Sequence, residues 1–460
     1  MLDEPIELAI VGAGPAGMAA ALTARSAGLS VVVLDEQAAP GGQIYRAVTS
    51  ATTGRCDVLG PDYAAGRELA RDFEASGARH EYGAAVWQVT PEGRVHYLQA
   101  GQSRMIEPGK VILCTGAMER PFPIPGWTLP GVLTAGAAQI LLKTGDVVPA
   151  DPVVLAGCGP LLYLLAWQYL RAGVPIKAFI ETTSPADYRR ALVKLPAALI
   201  QWRLLAKGIG LKAALLGSGV PIFSGARELR IEGGKSAEAI EFRTGNQQHR
   251  VEARVFLLHQ GVVPNTQITW SLRASHVWDQ AQLCWTPQAS VGGELIGLPG
   301  IFIAGDGAGI IGAEASRLSG RVAALAALQA LRGSHSDAQF ESEAAALLRD
   351  LRRATAARPF LDALYRPRAE FRIPADEVIV CRCEEVTAGE IRKHVRSGCL
   401  GPNQLKSFTR CGMGPCQGRQ CGITATEIIA AERGVAASEA GYQRVRPPIK
   451  PISLGELGGL

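Results

Sequence analysis

The sequence predicts an α/β protein in which one Rossmann-like dinucleotide-binding unit is inserted within another, with a small cysteine-bearing domain at the C-terminal end. Three observations predict it. A glycine-rich turn joins an apolar strand to an Ala-rich helix near residue 12, a second such unit follows near residue 157, and six of the ten cysteines bunch between Cys381 and Cys421. Composition agrees: Gly is 53 of 460 residues, aromatics are 6%, and the 47% hydrophobic and 19% charged fractions exclude disordered and collagen-like chains. Lys+Arg 47 against Asp+Glu 42 gives +5, without the concentrated basic stripe of a nucleic-acid binder. A chain of 460 residues exceeds one core and divides into two or three domains.

The first unit runs from a strand at Glu7 to Val11, through Gly12-Ala13-Gly14-Pro15-Ala16-Gly17, into a helix ending near Ala27. Gly28 stands at the helix C-cap, and a second buried strand, Ser30 to Leu34, ends in Asp35-Glu36. Gly12 makes the tight turn, Gly14 admits the pyrophosphate to the backbone, and Gly17 lets helix and strand pack closely. Asp35, or one step on Glu36, is the acid placed to accept hydrogen bonds from ribose hydroxyls.

Two further strands decide which dinucleotide. Val111 to Gly116 ends in Thr115-Gly116, and Gly300 to Gly307 ends in Gly305-Asp306 before a helix at about Ala313 to Leu331. Together with Pro40-Gly41-Gly42-Gln43, these resemble the segments that complete the FAD site of two-dinucleotide-domain flavoproteins. The resemblance implies that Asp306 binds the ribityl chain. It also places Gly42, Gln43, Val86, Thr115, Gly116 and Gly312 among the cofactor contacts.

The second unit has its strand at Pro152 to Ala156, its turn at Gly157-Cys158-Gly159-Pro160-Leu161-Leu162, and a second strand, Ile176 to Ile180, ending in Glu181. Here Leu162 replaces the third glycine, and no Arg pair follows Glu181 to accept a 2′-phosphate, which disfavours NADPH. Whether NAD or another nucleotide binds this unit stays open. The Leu-rich basic stretch from Thr182 to Gly219 reads as amphipathic helices that cover the sheet or dock a partner. Cys56, Cys114 and Cys158 are isolated, so no cysteine pair stands ready for disulfide reduction, and the scattered His residues offer no clear general base. Pro152 to Leu170 approaches spanning length but is broken by Gly157-Cys158-Gly159-Pro160, so no transmembrane segment is expected. The acidic start, Met1-Leu2-Asp3-Glu4-Pro5, lacks the basic region of a signal peptide, and a cytoplasmic location is expected.

The strongest local signal is Cys381-Arg382-Cys383-Glu384-Glu385-Val386-Thr387, followed by Cys411-Gly412-Met413-Gly414-Pro415-Cys416-Gln417-Gly418-Arg419. A C-x-C pair and a C-x₄-C pair supply four soft thiolates, Cys381, Cys383, Cys411 and Cys416, which suit a 2Fe–2S cluster or zinc. C-x-C is unusual for zinc, where C-x₂₋₄-C dominates. Cys416 and Cys421 also form C-x₄-C, which leaves Cys421 as an alternative ligand, and Cys399 reads as structural. This region resembles the small 2Fe–2S domain of bacterioferritin-associated ferredoxin, with a wider second pair than that family's C-x₂-C.

Pro-Gly-Gly-Gln-Ile-Tyr-Arg (40–46), Gly305-Asp306 and the cysteine-rich tail together resemble the α subunits of heteromeric flavin and 2Fe–2S amine dehydrogenases. That family includes octopine and nopaline oxidases, D-hydroxyproline dehydrogenase and hydrogen cyanide synthase, and is related to heterotetrameric sarcosine oxidase. The resemblance implies an electron-transfer subunit with no catalytic residues of its own. The amine would be oxidised at an FAD on a β subunit, with an FMN at the α/β interface and a small γ subunit in some complexes. The competing readings are a stand-alone NADH-dependent flavin/iron–sulfur reductase and a redox-sensing iron-handling protein. The expected division is 1–116 and 286–335 for the FAD domain, 117–285 for the insert, 336–374 for a linker, 375–445 for the 2Fe–2S domain and 446–460 for a tail.

Overall fold

The computed structural model describes residues 5–333 and 338–459. The acidic tetrapeptide 1–4, the boundary between the second FAD half and the linker at 335/336, and the final residue of the tail lie outside the described residues. Strand β1 (Leu8–Val11), helix α1 (Pro15–Ser26), β2 (Val31–Asp35), β3 (Arg79–Tyr82) and β4 (Lys110–Leu113) form the first half. The insert carries β5 (Val132–Thr134), α2 (Ala135–Gly145), β6 (Val153–Cys158), α3 (Pro160–Arg171), β7 (Ile176–Glu181), α4 (Trp202–Leu216), β8 (Ile222–Ser224) and β9 (Val255–Gln260). The chain then returns through β10 (Ile301–Ile303) and α5 (Ala313–Arg332).

The first sheet is parallel throughout, in the order β10-β4-β1-β2-β3. Its central strands are buried on both faces, which is why they read as unbroken Val, Ile, Leu and Ala rather than as an alternation. Register aligns Val11 with Leu34 on one side and Leu113 on the other, so the loops after these strands open at one edge. Parallel α/β sheets hold their ligands at this edge. Helices α1 and α5 pack so closely that a Cβ on Gly320 would overlap the Ala16 carbonyl. The insert repeats the plan with a parallel sheet in the order β8-β7-β6-β9-β5.

Three expected boundaries shift. Val262–Pro264 pairs with Ala117–Glu119, and Ile268, Leu272, Ala274, Leu295 and Leu298 join the core around Val11, Val32 and Leu34. The insert therefore ends near residue 261 rather than 285. The expected linker is a packed layer of helices, Ala338–Ala354, Arg358–Leu364 and Ala369–Arg372. Phe371 is buried edge-to-face on Phe122 at 5.1 Å, and Arg372 ion-pairs with Glu427. The expected tail is also anchored, since Ile449, like Val445 just before it, is buried in the first domain's core.

The C-terminal domain opens with a short hairpin, β11 (Ile379–Cys381) and β12 (Val386–Thr387), and closes on helix α6 (Gly422–Arg433). Between them a helix over Ala388–Arg396 starts at a capping box of Thr387 and Glu390. Trp127 of the insert donates from Nε1 to the Ile379 carbonyl at 2.7 Å, and the Arg382 guanidinium lies over the Trp127 ring. These contacts seat the cysteine domain on the rest of the chain. Among the described residues no helix is long and apolar enough to cross a membrane.

Candidate functional site

The turn after β1 is built for a pyrophosphate. Gly12 has φ +106°, and a Cβ there would overlap the Cys114 carbonyl at the end of β4. Helix α1 starts at Gly14 with no side-chain cap, so the N-terminal N–H groups and the positive end of the helix dipole stay available for an anion. A Cβ on Gly42 would stand 2.8 Å from the Gly14 Cα, and Gly41 N–H donates to the Ala13 carbonyl at 2.8 Å. The 40–43 loop thus lies backbone to backbone against the phosphate turn. Pro15 and Ala16 form the first helical residues, and Gly17 abuts Gly12 too closely for any side chain.

The two acids at the end of β2 divide their roles. Asp35 is buried and accepts from Ala13 N–H at 2.5 Å and Gln37 N–H at 2.7 Å. Burial raises its pKa, with those two bonds opposing. Asp35 therefore braces the phosphate turn, whereas Glu36, one residue past the strand, is half-exposed. Val86 lies two residues past Ala84, whose N–H donates to the Asp35 carbonyl at 2.8 Å.

The second half closes the cradle. A Cβ on Gly305 would lie 2.9 Å from the Ala16 Cβ, placing the Gly305-Asp306 turn over the start of α1. Asp306 Oδ1 accepts from Ile311 N–H at 2.8 Å and Gly312 N–H at 2.9 Å, which fixes the carboxylate at the entry to α5. Thr115 Oγ1 donates to the Asn265 carbonyl at 2.8 Å, and Asn265 N–H donates to the Gly116 carbonyl at 2.9 Å. The segment returning from the insert is thereby tied to the Thr115-Gly116 turn. A residue that sequence reasoning missed, Lys143 of α2, reaches across from the insert to donate to the Gln43 carbonyl at 3.0 Å. Burial pushes its pKa down to about 7.

The second dinucleotide unit is filled by its own side chains. Leu162 is fully buried where the third glycine would stand. Glu181, the ribose-type acid, is buried and accepts from Tyr163 Oη at 2.5 Å and Ser224 Oγ at 3.3 Å, with Lys212 Nζ of α4 3.9 Å away. Cys158 Sγ donates to the Tyr365 carbonyl at 3.6 Å, so the layer between the domains covers the glycine turn. Glu181, the acid at the ribose position of such a unit, is thus already engaged.

In the C-terminal domain three thiols converge and two more pair separately. The sulfurs of Cys381, Cys411 and Cys421 lie within 4.8 Å of one another and all three residues are buried. Cys383 and Cys416 form a neighbouring hydrogen-bonded pair, with Cys383 exposed. The Cys411 and Cys421 thiols hydrogen-bond to Cys381 and pull its pKa down to about 2, whereas their own rise. The structure thus adds Cys421 to the four cysteines picked from spacing; its signal in the sequence was the second C-x₄-C from Cys416. Cys399 is apart, buried, its Sγ donating to the Gly401 carbonyl at 3.4 Å. Clustered thiols of this kind suit soft, thiophilic iron or zinc centres.

Comparison with known proteins places this architecture. The family model described as pyridine nucleotide-disulphide oxidoreductase matches residues 6–330, and the sarcosine oxidase A3 domain matches residues 376–459. The A subunit of opine oxidase from Agrobacterium tumefaciens is 45% identical over 100% of this chain and 92% of its own length. The HcnB subunit of hydrogen cyanide synthase from Pseudomonas aeruginosa is 33% identical over 96% of each chain. The crystal structure of L-proline dehydrogenase from P. horikoshii has the same fold, with a TM-score of 0.71 at 18% identity over 99% of this chain and 79% of that one. With its phosphate turn, inserted second unit and appended thiol domain, the chain belongs to the pyridine nucleotide-disulphide oxidoreductase family, in the branch that includes the opine oxidase A subunits.

Proposed function

We propose that the chain is the electron-transfer subunit of a heteromeric flavin-dependent oxidoreductase that acts on the C–N bond of an amine donor. The opine oxidase, hydrogen cyanide synthase and sarcosine oxidase relatives are all named as subunits, which supports an assembly. The observation that carries the reading is a flavin-type phosphate cradle and a cluster of three buried thiols, with a further cysteine pair, in one chain. Bound to such sites, an FAD accepts electron pairs and a 2Fe–2S cluster passes single electrons on.

This chain's part is to hold and orient. The Gly12–Gly17 turn would hold the pyrophosphate, Glu36 the ribose, and Asp306, its Oδ1 already anchored at Ile311 and Gly312, the ribityl chain. The thiols fit a 2Fe–2S centre by donor chemistry, and four of Cys381, Cys383, Cys411, Cys416 and Cys421 would ligate it. The amine, an opine, hydroxyproline or similar amino acid, would be oxidised on a β subunit carrying its own FAD. An FMN between the subunits and a small γ subunit belong to the same reading, as does a cytoplasmic location. The NADH-reductase alternative finds no support in a second unit whose acid is already satisfied by Tyr163 and Ser224. The test is co-expression with the product of the adjacent gene, followed by flavin, iron and sulfide counts. An opine or imino acid should bleach the flavin only with the β subunit present; bleaching by NADH alone would overturn the reading.

A further inference from the structure

We propose that the segment from Tyr442 to Lys450 is a strap that completes the adenosine end of the FAD site and ties it to the cysteine loop. The inference rests on the reading that FAD occupies the β1–α1 cradle, and it concerns a stretch to which neither the fold nor that reading assigns a role.

The strap starts at the thiols. The Tyr442 ring stacks on Trp270 at 4.9 Å, and a Cβ on Gly422, next to Cys421, would overlap its hydroxyl end. The Gln443 side chain lies over Gly412 and Gly418 of the cysteine loop, where any Cβ would collide with it, and donates to the Gln417 carbonyl at 3.1 Å. The chain then enters the first domain. Val445 and Ile449 are buried in its core, and Ile449 N–H donates to the Trp87 carbonyl at 3.0 Å, one residue beyond Val86. Lys450 Nζ meets Glu36 Oε2 at 2.5 Å. Arg419 latches the two ends, donating to the Cys416 carbonyl at 3.2 Å and to the Ile449 carbonyl at 2.9 Å.

Glu36 directly follows the second strand, where this fold reads the adenosine ribose. A cation on that carboxylate, delivered from 414 positions away, fixes the carboxylate at the ribose side of the cradle. The side chains of Lys450 and Glu36 are 35% and 46% exposed, so the ion pair alone is weak. The buried Val445 and Ile449 and the backbone bond to Trp87 carry most of the closure, as apolar burial outweighs an exposed ion pair.

The test uses the full chain, stripped of flavin and titrated with FAD by fluorescence quenching, with iron and sulfide counted in parallel. Lys450→Glu should weaken FAD binding by about 3- to 10-fold, a reversal of one half-exposed charge, while Lys450→Arg restores it and metal content stays unchanged. Ending the chain after Arg444 should weaken binding by more than about 10-fold. If the shortened chain fails to fold by circular dichroism, Lys450→Glu decides alone. Parental affinity in Lys450→Glu, or in a folded shortened chain, overturns the strap. An unmodified chain that binds no FAD overturns instead the reading on which the strap rests.

Discussion

Gly17 tests the cradle most directly. A Cβ at this position would penetrate the Gly12 carbonyl oxygen, lie 3.0 Å from its carbon and 3.4 Å from Ile10 Cγ2. The obstacle is backbone, not a side-chain tip that can swing away. Gly17→Ala therefore forces α1 off β1 by on the order of 1 Å, with a stability cost of about 1–3 kcal/mol for an overpacked contact. The same displacement moves the first-turn N–H groups away from a pyrophosphate. Each hydrogen bond to a charged group contributes about 1.5–3 kcal/mol, so losing one weakens FAD by about 10- to 150-fold. Flavin fluorescence titration of the stripped protein and thermal melts of both forms would measure the two effects. Gly28→Ala is the control: Gly28 has φ +85° and open space around it, so alanine adds only about 1–2 kcal/mol of left-handed strain and leaves FAD affinity intact. A Gly17→Ala protein that binds FAD within about 3-fold of the parent and melts within about 2 °C of it would refute the reasoning.

Single Cys→Ser changes at positions 381, 383, 411, 416 and 421, read by iron and sulfide content, should leave the cluster in one variant and remove it in the other four, Cys381→Ser among them. For Lys143, with a folded pKa of about 7 against an ordinary value of 10.5, the unfolded chain binds the extra proton between those limits. Stability should therefore rise with pH across that window and level off below about 7; Lys143→Met should flatten the dependence, as urea unfolding at about pH 7 and about pH 9.5 would show. NADH should neither bind measurably nor bleach the flavin, and Leu162→Gly should not change this, because Glu181 stays held by Tyr163; binding of NADH by the unmodified protein in calorimetry would contradict the filled second site.

Much of this was legible in the linear chain because the signals are local. A strand, a Gly-x-Gly-x-x-Gly turn and an Ala-rich helix announce a phosphate site within about twenty residues, since each glycine answers a steric demand made by its immediate neighbours. Leu162 likewise marks the second unit as altered. Spacing could not choose between Asp35 and Glu36: both lie at the end of the same strand, and burial alone, with the bonds from Ala13 and Gln37, turns one inward as a brace. Nor could it rank Cys421, whose sulfur meets those of Cys381 and Cys411 only when α6 folds back on the hairpin. The sequence by itself determined the two dinucleotide folds, the phosphate turn and the thiol-rich domain. Tertiary structure alone decided that the insert ends near residue 261, that the expected linker is a packed layer, and that Lys143 and Lys450 reach the cradle from 100 and 414 positions away. The physical reason is that hydrophobic burial carries no directional code along the chain: which distant segments share a core, and so which side chains arrive at a site, is settled by packing.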